Sequence, residues 1–478
     1  MSDLHELTAI EQTALVRART ISPVELADHY LDRIDRLDRA LGSFVTVTAD
    51  AARAAAKEAE ARVVRSAVDE LPPLHGVPIA FKDLTATAGV PTKFGSLALA
   101  DNVPPFDADV VKLLNEAGVV GLGKTTTSEL GISLSCETEL GPPTHSPWRP
   151  GLMAGGSSGG AAAAVAAGLV PFAQGSDGAG SLRVPAALCG VVGVKPSRGL
   201  VSHGPLHSGM FGMPINGPVA RTVADAALLL DAMAVAMPGE PYFCPPPPPE
   251  GSYLAALHRP LRRADGRPLR VGRHAEPLLA ETVVDPEVLG VWERTGKLLE
   301  SLGCEVFDVP APFDPSIGPL FQQVFSVLSA MPMPPSRERL LQPLTRHVRA
   351  EAAKVSAVGV LGILSQLQNA ARAAMRALAD VDLVLTPTVA DVAVPLGYFT
   401  EPGDPAEHLA RQRRFSPFCA PYNLTGQPAV SLPVGQSGDG LPIGVMLAAH
   451  QGEDAMLLAV SAELERAAPW VDRKPPVW

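Results

Sequence analysis

A chain of 478 residues with 46% hydrophobic content and a mean hydropathy of +0.16 can bury a large core, and its length alone allows two or three domains. Its 39 Lys and Arg against 50 Asp and Glu leave a formal net charge of −11, with no basic run to offset it, so a phosphate backbone would be repelled and nucleic acid is not expected as a direct ligand. The start, Met1-Ser2-Asp3-Leu4-His5-Glu6, lacks the basic-then-apolar pattern of a signal peptide and no apolar stretch reaches the roughly 18 residues of a membrane span, so a cytoplasmic protein without a membrane span is expected.

Ser22-Pro23-Val24-Glu25 reads as a capping box with Pro at the first helical position, and Val24, Ala27, Leu31, Ile34 and Leu41 then fall on one helical face. From Leu74 to about Ala236, short apolar runs (Val77 to Phe81, Val119 to Leu122, Leu169 to Phe172, Val191 to Val194) alternate with helical patterns such as Asp107 to Glu116, the signature of an α/β core. Ala161 to Ala167 reads as a short helix ended by Gly168, and Leu169 to Ala173 as a strand leading into a second glycine turn. Thr222 is placed as N-cap of a helix Val223 to Met237, and Pro245 to Pro249 as an extended linker. Leu269 to Val271 is strand-like and Pro286 to Leu302 helical. Phe321 to Leu378 reads as helices rich in Met, Leu and Ala, broken at Pro332, Pro334 and Pro335, of a kind that covers a pocket. Val381 to Leu385, Ala429 to Val434 and Ile443 to Leu447 read as strands and Ala455 to Ala467 as a closing helix.

Three motifs compete for the chemistry. Gly118-Val119-Val120-Gly121-Leu122-Gly123-Lys124-Thr125 matches a phosphate-binding loop letter for letter, but its β-forming Val119, Val120 and Leu122 sit inside the motif and a helix precedes it, so it is read as a helix-to-strand turn. The pattern G-x-S-x-G fits Gly155 to Gly159 and Gly156 to Gly160. The preceding Pro147-Trp148-Arg149-Pro150-Gly151-Leu152 carries two prolines and cannot be the strand that feeds a nucleophile elbow. The five cysteines, Cys136, Cys189, Cys244, Cys304 and Cys419, are far apart and form no CxxC pair. Reduced thiols are therefore expected, with neither a disulfide framework nor a metal site, and no cofactor is called for.

The third motif is a pair of glycine-serine clusters, Gly155-Gly156-Ser157-Ser158-Gly159-Gly160 and Gly175-Ser176-Asp177-Gly178-Ala179-Gly180-Ser181-Leu182-Arg183, with His75-Gly76-Val77-Pro78-Ile79-Ala80-Phe81-Lys82-Asp83 upstream. Together these segments resemble the amidase signature family. Val194-Lys195-Pro196-Ser197-Arg198-Gly199, Gly217 to Asp225, Leu385-Thr386-Pro387-Thr388, Asn423 to Pro428 and Leu441 to Val445 extend the resemblance over nearly the whole chain. It implies one α/β amidase domain over 1–478, with a central mixed twisted sheet flanked by helices on both faces. Within it, N-terminal helices (1–70), a catalytic signature core (71–240), a variable, partly helical, substrate-covering region (241–380) and a C-terminal part of the core (381–478) are expected.

The resemblance also implies a Ser-Ser-Lys relay in which Ser181 is the nucleophile, Ser157 the bridging serine after a cis Gly156–Ser157 bond, and Lys82 the base. Lysine must be neutral to accept a proton, and burial among apolar residues such as Ile79 to Phe81 lowers its pKa by penalising the ammonium. The N–H groups of Gly178, Ala179, Gly180 and Ser181 match the oxyanion hole, Ala179 standing where relatives carry Gly, while Ser158, Asp177 and Arg183 are expected as supports. Met210, Phe211 and Met213, with Phe321, Phe325, Met331 and Met333, are candidates for an apolar pocket above Ser181. The expected substrate is a small apolar or aryl amide, with esters and aryl carbamates open to the same acyl chemistry. A homodimer is left open. The rival is the A subunit of a tRNA-dependent amidotransferase, which is disfavoured because Val184 replaces its Gln and Leu206 to Gly212 departs from its pattern.

Overall fold

Ser22 Oγ accepts from the N–H groups of Val24 and Glu25 while the Glu25 carboxylate accepts from the Ser22 N–H at 2.8 Å, so the helix Pro23–Leu41 starts where its capping box puts it. Its apolar face, Leu26, Ala27, Tyr30, Leu31, Ile34 and Leu41, is buried. The computed structural model describes residues 4–205 and 210–478, with only the backbone of Met210.

Eleven strands form one sheet: β1 (Phe44–Val47), β2 (Pro78–Lys82), β3 (Val120–Thr125), β4 (Phe172–Asp177), β5 (Val192–Lys195), β6 (Ile215–Ala220), β7 (Arg270–Arg273), β8 (Glu305–Asp308), β9 (Leu383–Pro387), β10 (Ala429–Gln436) and β11 (Pro442–Ala449). Their spatial order is β1-β3-β2-β4-β6-β5-β10-β11-β9-β7-β8. β3, β2 and β4 run parallel, as do β9, β7 and β8, and the strands between pair antiparallel. The sheet is therefore mixed, as expected, and β7 and β8 extend it from within the 241–380 region.

Alternation along the central strands divides the core in two. Ile79 and Phe81 of β2, Phe172 of β4 and Ala220 of β6 join one apolar cluster with Val111, Leu114, Leu229, Leu230, Val288 and Leu457, drawn from helices Asp109–Glu116, Val223–Met233, Pro286–Ser301 and Asp454–Ala467. Their neighbours Ala80, Ala173 and Val219 join a second cluster with Leu26, Ala56 and Ala161 to Val165, from Pro23–Leu41, Ala49–Arg65 and Gly159–Ala166. A side-chain period of two thus puts helices on both faces of the sheet. No single described helix is long and apolar enough to cross a bilayer.

Two local expectations are corrected and one holds. The second glycine-serine cluster does not begin as a turn: β4 runs through Gly175, Ser176 and Asp177, paired along its length with β6 as far as Asp177 opposite Ile215. The apolar Leu169 and Val170 precede that strand. The helix after Thr222 stops at Met233 rather than Met237. The Walker-like segment is a turn followed by β3, and buried Lys124 bonds Thr85 O, Thr87 Oγ1 and Thr92 Oγ1 from inside the protein.

Candidate active site

Lys82 is the last residue of β2, where pleating turns its side chain to the face that carries helix Gly159–Ala166, and it is 0% exposed. Its Nζ lies 2.7 Å from Ser157 Oγ, 3.2 Å from Ser176 O and 3.1 Å from Ser176 Oγ. Among the described residues no carboxylate touches it, and burial, opposed by Cys136 and Asp177, lowers its pKa to about 7. A base of that pKa has a large neutral fraction near pH 7. The backbone of Lys82 is itself fixed by its N–H donating to Gln174 Oε1 at 3.1 Å.

Ser157 stands immediately before Ser158, the residue that precedes helix Gly159–Ala166, and the Gly156–Ser157 bond is cis. This helix lies close to the sheet because Gly160 has no side chain; a Cβ there would come within 2.5 Å of Ser43 O and of Thr126 N. Ser158 is 0% exposed and holds the two glycine-serine segments together. Its Oγ donates to Ser176 O at 3.0 Å, and its N–H donates to Ser181 O at 3.2 Å. Among the described residues no hydrogen bond links the side chains of Ser157 and Ser181 directly.

Ser181 sits two residues ahead of helix Arg183–Cys189, 7% exposed, on a loop braced from below by Asp177. The Asp177 carboxylate accepts from the Gly180 N–H at 2.7 Å, the Leu182 N–H at 3.1 Å, and Arg183 Nε and Nη2 at 2.9 Å each. Burial alone would raise this carboxyl's pKa, but the Arg183 guanidinium against it holds it well below the usual carboxylate range. Arg183 also donates to Cys419 O and Asn423 Oδ1, and Asn423 Nδ2 returns to Asp177 Oδ1 at 3.0 Å. Asp177 and Arg183, the expected supports, are both 0% exposed.

Gly180, expected as a fourth oxyanion donor, is engaged elsewhere. Its N–H is consumed by Asp177, whose carboxylate reaches three residues along its own chain. A φ of +127° there, with Cys419 Cβ 2.7 Å from where a side chain would start, makes glycine necessary. The N–H groups of Gly178, Ala179 and Ser181 make no hydrogen bond among the described residues.

Of the proposed pocket residues, Met213 is buried in an apolar cluster with Phe321, Val324, Ile363 and Leu367, and partly buried Ala179 and Phe325 pack against that cluster. The helices Ile317–Ser329 and Ala357–Ala377 therefore meet the Ser181 loop at Ala179. Phe211 does not join them: at φ +58° its side chain is 37% exposed. Met331 and Met333 lie outside the cluster, while Leu206 to Gly209 and the Met210 side chain lie outside the described residues.

Two contributors carried no expected role. Ser176 gives Lys82 two of its three contacts, and Asn423 closes the Asp177–Arg183 clamp from 240 residues away. Both stood inside recognised segments, yet nothing local signals which serine of a glycine-rich strand faces a lysine. Among the described residues no three His, Cys, Asp or Glu side chains converge as metal ligands would.

Comparison with known proteins shows what the chain as a whole is similar to. A family model described as Amidase matches residues 25–458. An acylamidase of Rhodococcus erythropolis is 36% identical, covering 99% of this chain and 98% of that protein. Among solved structures, 6-aminohexanoate cyclic dimer hydrolase complexed with substrate superposes with a TM-score of 0.87 at 30% identity, and a bacterial aryl acylamidase of the amidase signature family with 0.86 at 25% identity, each covering 99% of both chains.

Proposed function

This chain belongs to the amidase family, an amide-hydrolysing enzyme acting on non-peptide C–N bonds, and on that premise we propose that it works through a Lys82–Ser157–Ser181 relay. The observation that carries the reading is a buried lysine with no carboxylate in contact among the described residues, its pKa lowered to about 7, at 2.7 Å from a serine hydroxyl. Neutral Lys82 takes the proton of Ser157, Ser157 takes that of Ser181, and Ser181 Oγ attacks the amide carbonyl carbon. The oxyanion is met by the N–H groups of Gly178, Ala179 and Ser181. Collapse breaks the C–N bond while the relay returns the proton to the leaving amine. Water, deprotonated by the same relay, then hydrolyses the acyl ester on Ser181.

The apolar cluster against Ala179 favours small apolar or aryl acyl and amine groups, and aryl esters and carbamates present the same carbonyl to Ser181. The test is release of nitroaniline from a short-acyl p-nitroanilide by the purified chain beside its Ser181→Ala variant. We expect a loss of about 10³-fold or more in kcat/KM with the fold retained by circular dichroism. Equal turnover by the two proteins sinks the relay. Silence on anilide, ester and carbamate alike, with glutamine hydrolysis appearing only on addition of partner subunits, would favour the A-type amidotransferase reading instead.

A further inference from the structure

A cavity of about 750 Å³ opens among helices Ile317–Ser329, Pro343–Ala352, Ala357–Ala377 and Pro405–Phe415, and none of the residues of the relay or the oxyanion loop lines it. Packing nevertheless connects it to both ends of the site. A Cβ on Gly131 would lie 3.4 Å from Ser157 Oγ, and the flanking Leu130 and Ile132 pack in a small cluster with Phe325 and with Leu409, a wall of the cavity. Ile363, another wall, belongs to the apolar cluster against which Ala179 packs.

The charges on the walls are unevenly satisfied. Glu351 is paired with Lys354 at 2.5 Å. Half-buried Arg413 donates from Nη1 to Gln322 Oε1 at 3.1 Å, and among the described residues no carboxylate is within ion-pair distance of it. The nearest candidate, Glu407, is engaged by Arg414 at 2.5 Å and Arg411 at 3.6 Å and reaches Arg413 only through longer-range attraction. Asp404 already caps the helix whose Ala406 lines one side. Ser356 and Gly359, at the start of the 21-residue helix Ala357–Ala377, also line the space, and there Ser356 Oγ accepts from the Gly359 N–H at 3.0 Å. His347 is the remaining titratable wall residue.

A half-buried guanidinium pays a desolvation cost that a neutral amide oxygen offsets poorly and a carboxylate offsets well, through two parallel charge-assisted hydrogen bonds. We propose that this cavity holds a carboxylate at the far end of the amide substrate, and that Arg413 is the residue that selects for it. The proposal rests on the amidase reading and changes its substrate class from small apolar or aryl amides to amides that also bear an anionic end.

The experiment compares ω-carboxyacyl p-nitroanilides of increasing chain length with their methyl esters, and acylamino-alkanoates with theirs, so that a carboxylate on the acyl side is separated from one on the amine side. Wild-type protein should prefer the free carboxylate in one of the two series. Arg413→Gln should lower that preference, the ratio of kcat/KM for acid over ester, about tenfold or more, chiefly through KM, and Arg413→Lys should restore part of it. A wild-type preference for the esters, or an Arg413→Gln protein with an unchanged ratio, overturns the proposal. Calorimetric binding of the same acids and esters to Ser181→Ala protein keeps the two readings apart. Acid-selective binding that Arg413→Gln abolishes supports the cavity assignment even where turnover is absent, and equal binding of acid and ester refutes it whatever the turnover.

Discussion

The loop that carries Ser181 and the helices that cover it are built on opposite principles. Around Ser181, polar atoms are bonded to one another about the end of β4: Asp177 to Arg183, Gly180 and Leu182, Ser158 to Ser176, and Arg183 to Asn423. The covering region, residues 317–377, packs Phe321 and Leu367 inward but leaves Val358 79% and Leu361 68% exposed, and together with helix Pro405–Phe415 it borders a cavity whose Arg413 has no carboxylate within ion-pair distance among the described residues. On the proposed reading, chemistry that tolerates little displacement is held by many short contacts between nearly unexposed groups, while substrate choice would fall to a layer that can be repacked.

That contrast predicts a descending series of effects. The largest belongs to the clamp: Arg183→Met strands the Asp177 carboxylate without a counter-charge at zero exposure, and we expect a loss of about 3–5 kcal/mol from the urea midpoint. A loss below about 1 kcal/mol would mean that the loop does not depend on the pair, by the standard of exposed ion pairs. Because the folded-state pKa of Asp177 is depressed, the wild type keeps this contribution above the ordinary carboxylate range. It gives the contribution up as pH falls through the folded value.

Next comes the pH profile. The base form of Lys82 exists above its pKa of about 7, so kcat/KM should rise with pH through that value, fall about tenfold per unit below it and level off above it. A limb near the ordinary lysine value of about 10 would show that burial does not control the group.

Smaller effects are expected in the cover. Phe325→Ala removes a half-buried ring that packs against both the cluster at Ala179 and the one at Leu409. It should cost about 1–2 kcal/mol in stability and shift relative kcat/KM among acyl groups by up to about tenfold. An unchanged substrate ranking would detach this helix from selectivity. Leu361→Ser, on the solvent side, should change stability by no more than about 0.5 kcal/mol and leave turnover alone.

Much of this layout was legible along the chain, with failures where strands depend on distant partners. The capping box at Ser22, the helix cap at Thr222 and the two glycine-serine clusters were all locally readable. β6 was not, because Pro218 in its middle argues against a central strand. It is tolerated because pairing with β5 is confined to Val219 and Ala220, so Pro218 faces no ladder partner on that side. Short β1 and β8, four residues each, were likewise invisible without the neighbours that pair with them.

By itself the amino-acid sequence determined which groups are available and how they are spaced: a lysine closing an apolar run, serines framed by glycines, and an Asp six residues from an Arg. Period-two alternation and capping chemistry are local, so those features survive reading one residue at a time. The tertiary structure decided that Lys82 meets Ser157 and Ser176, that Gly180 serves Asp177, and that Asn423 completes the clamp. The physical reason is that burial, and with it the charge state of Lys82, is a sum over surroundings supplied by β3, β4 and the helix at Gly159, none of which adjoins Lys82 in the chain.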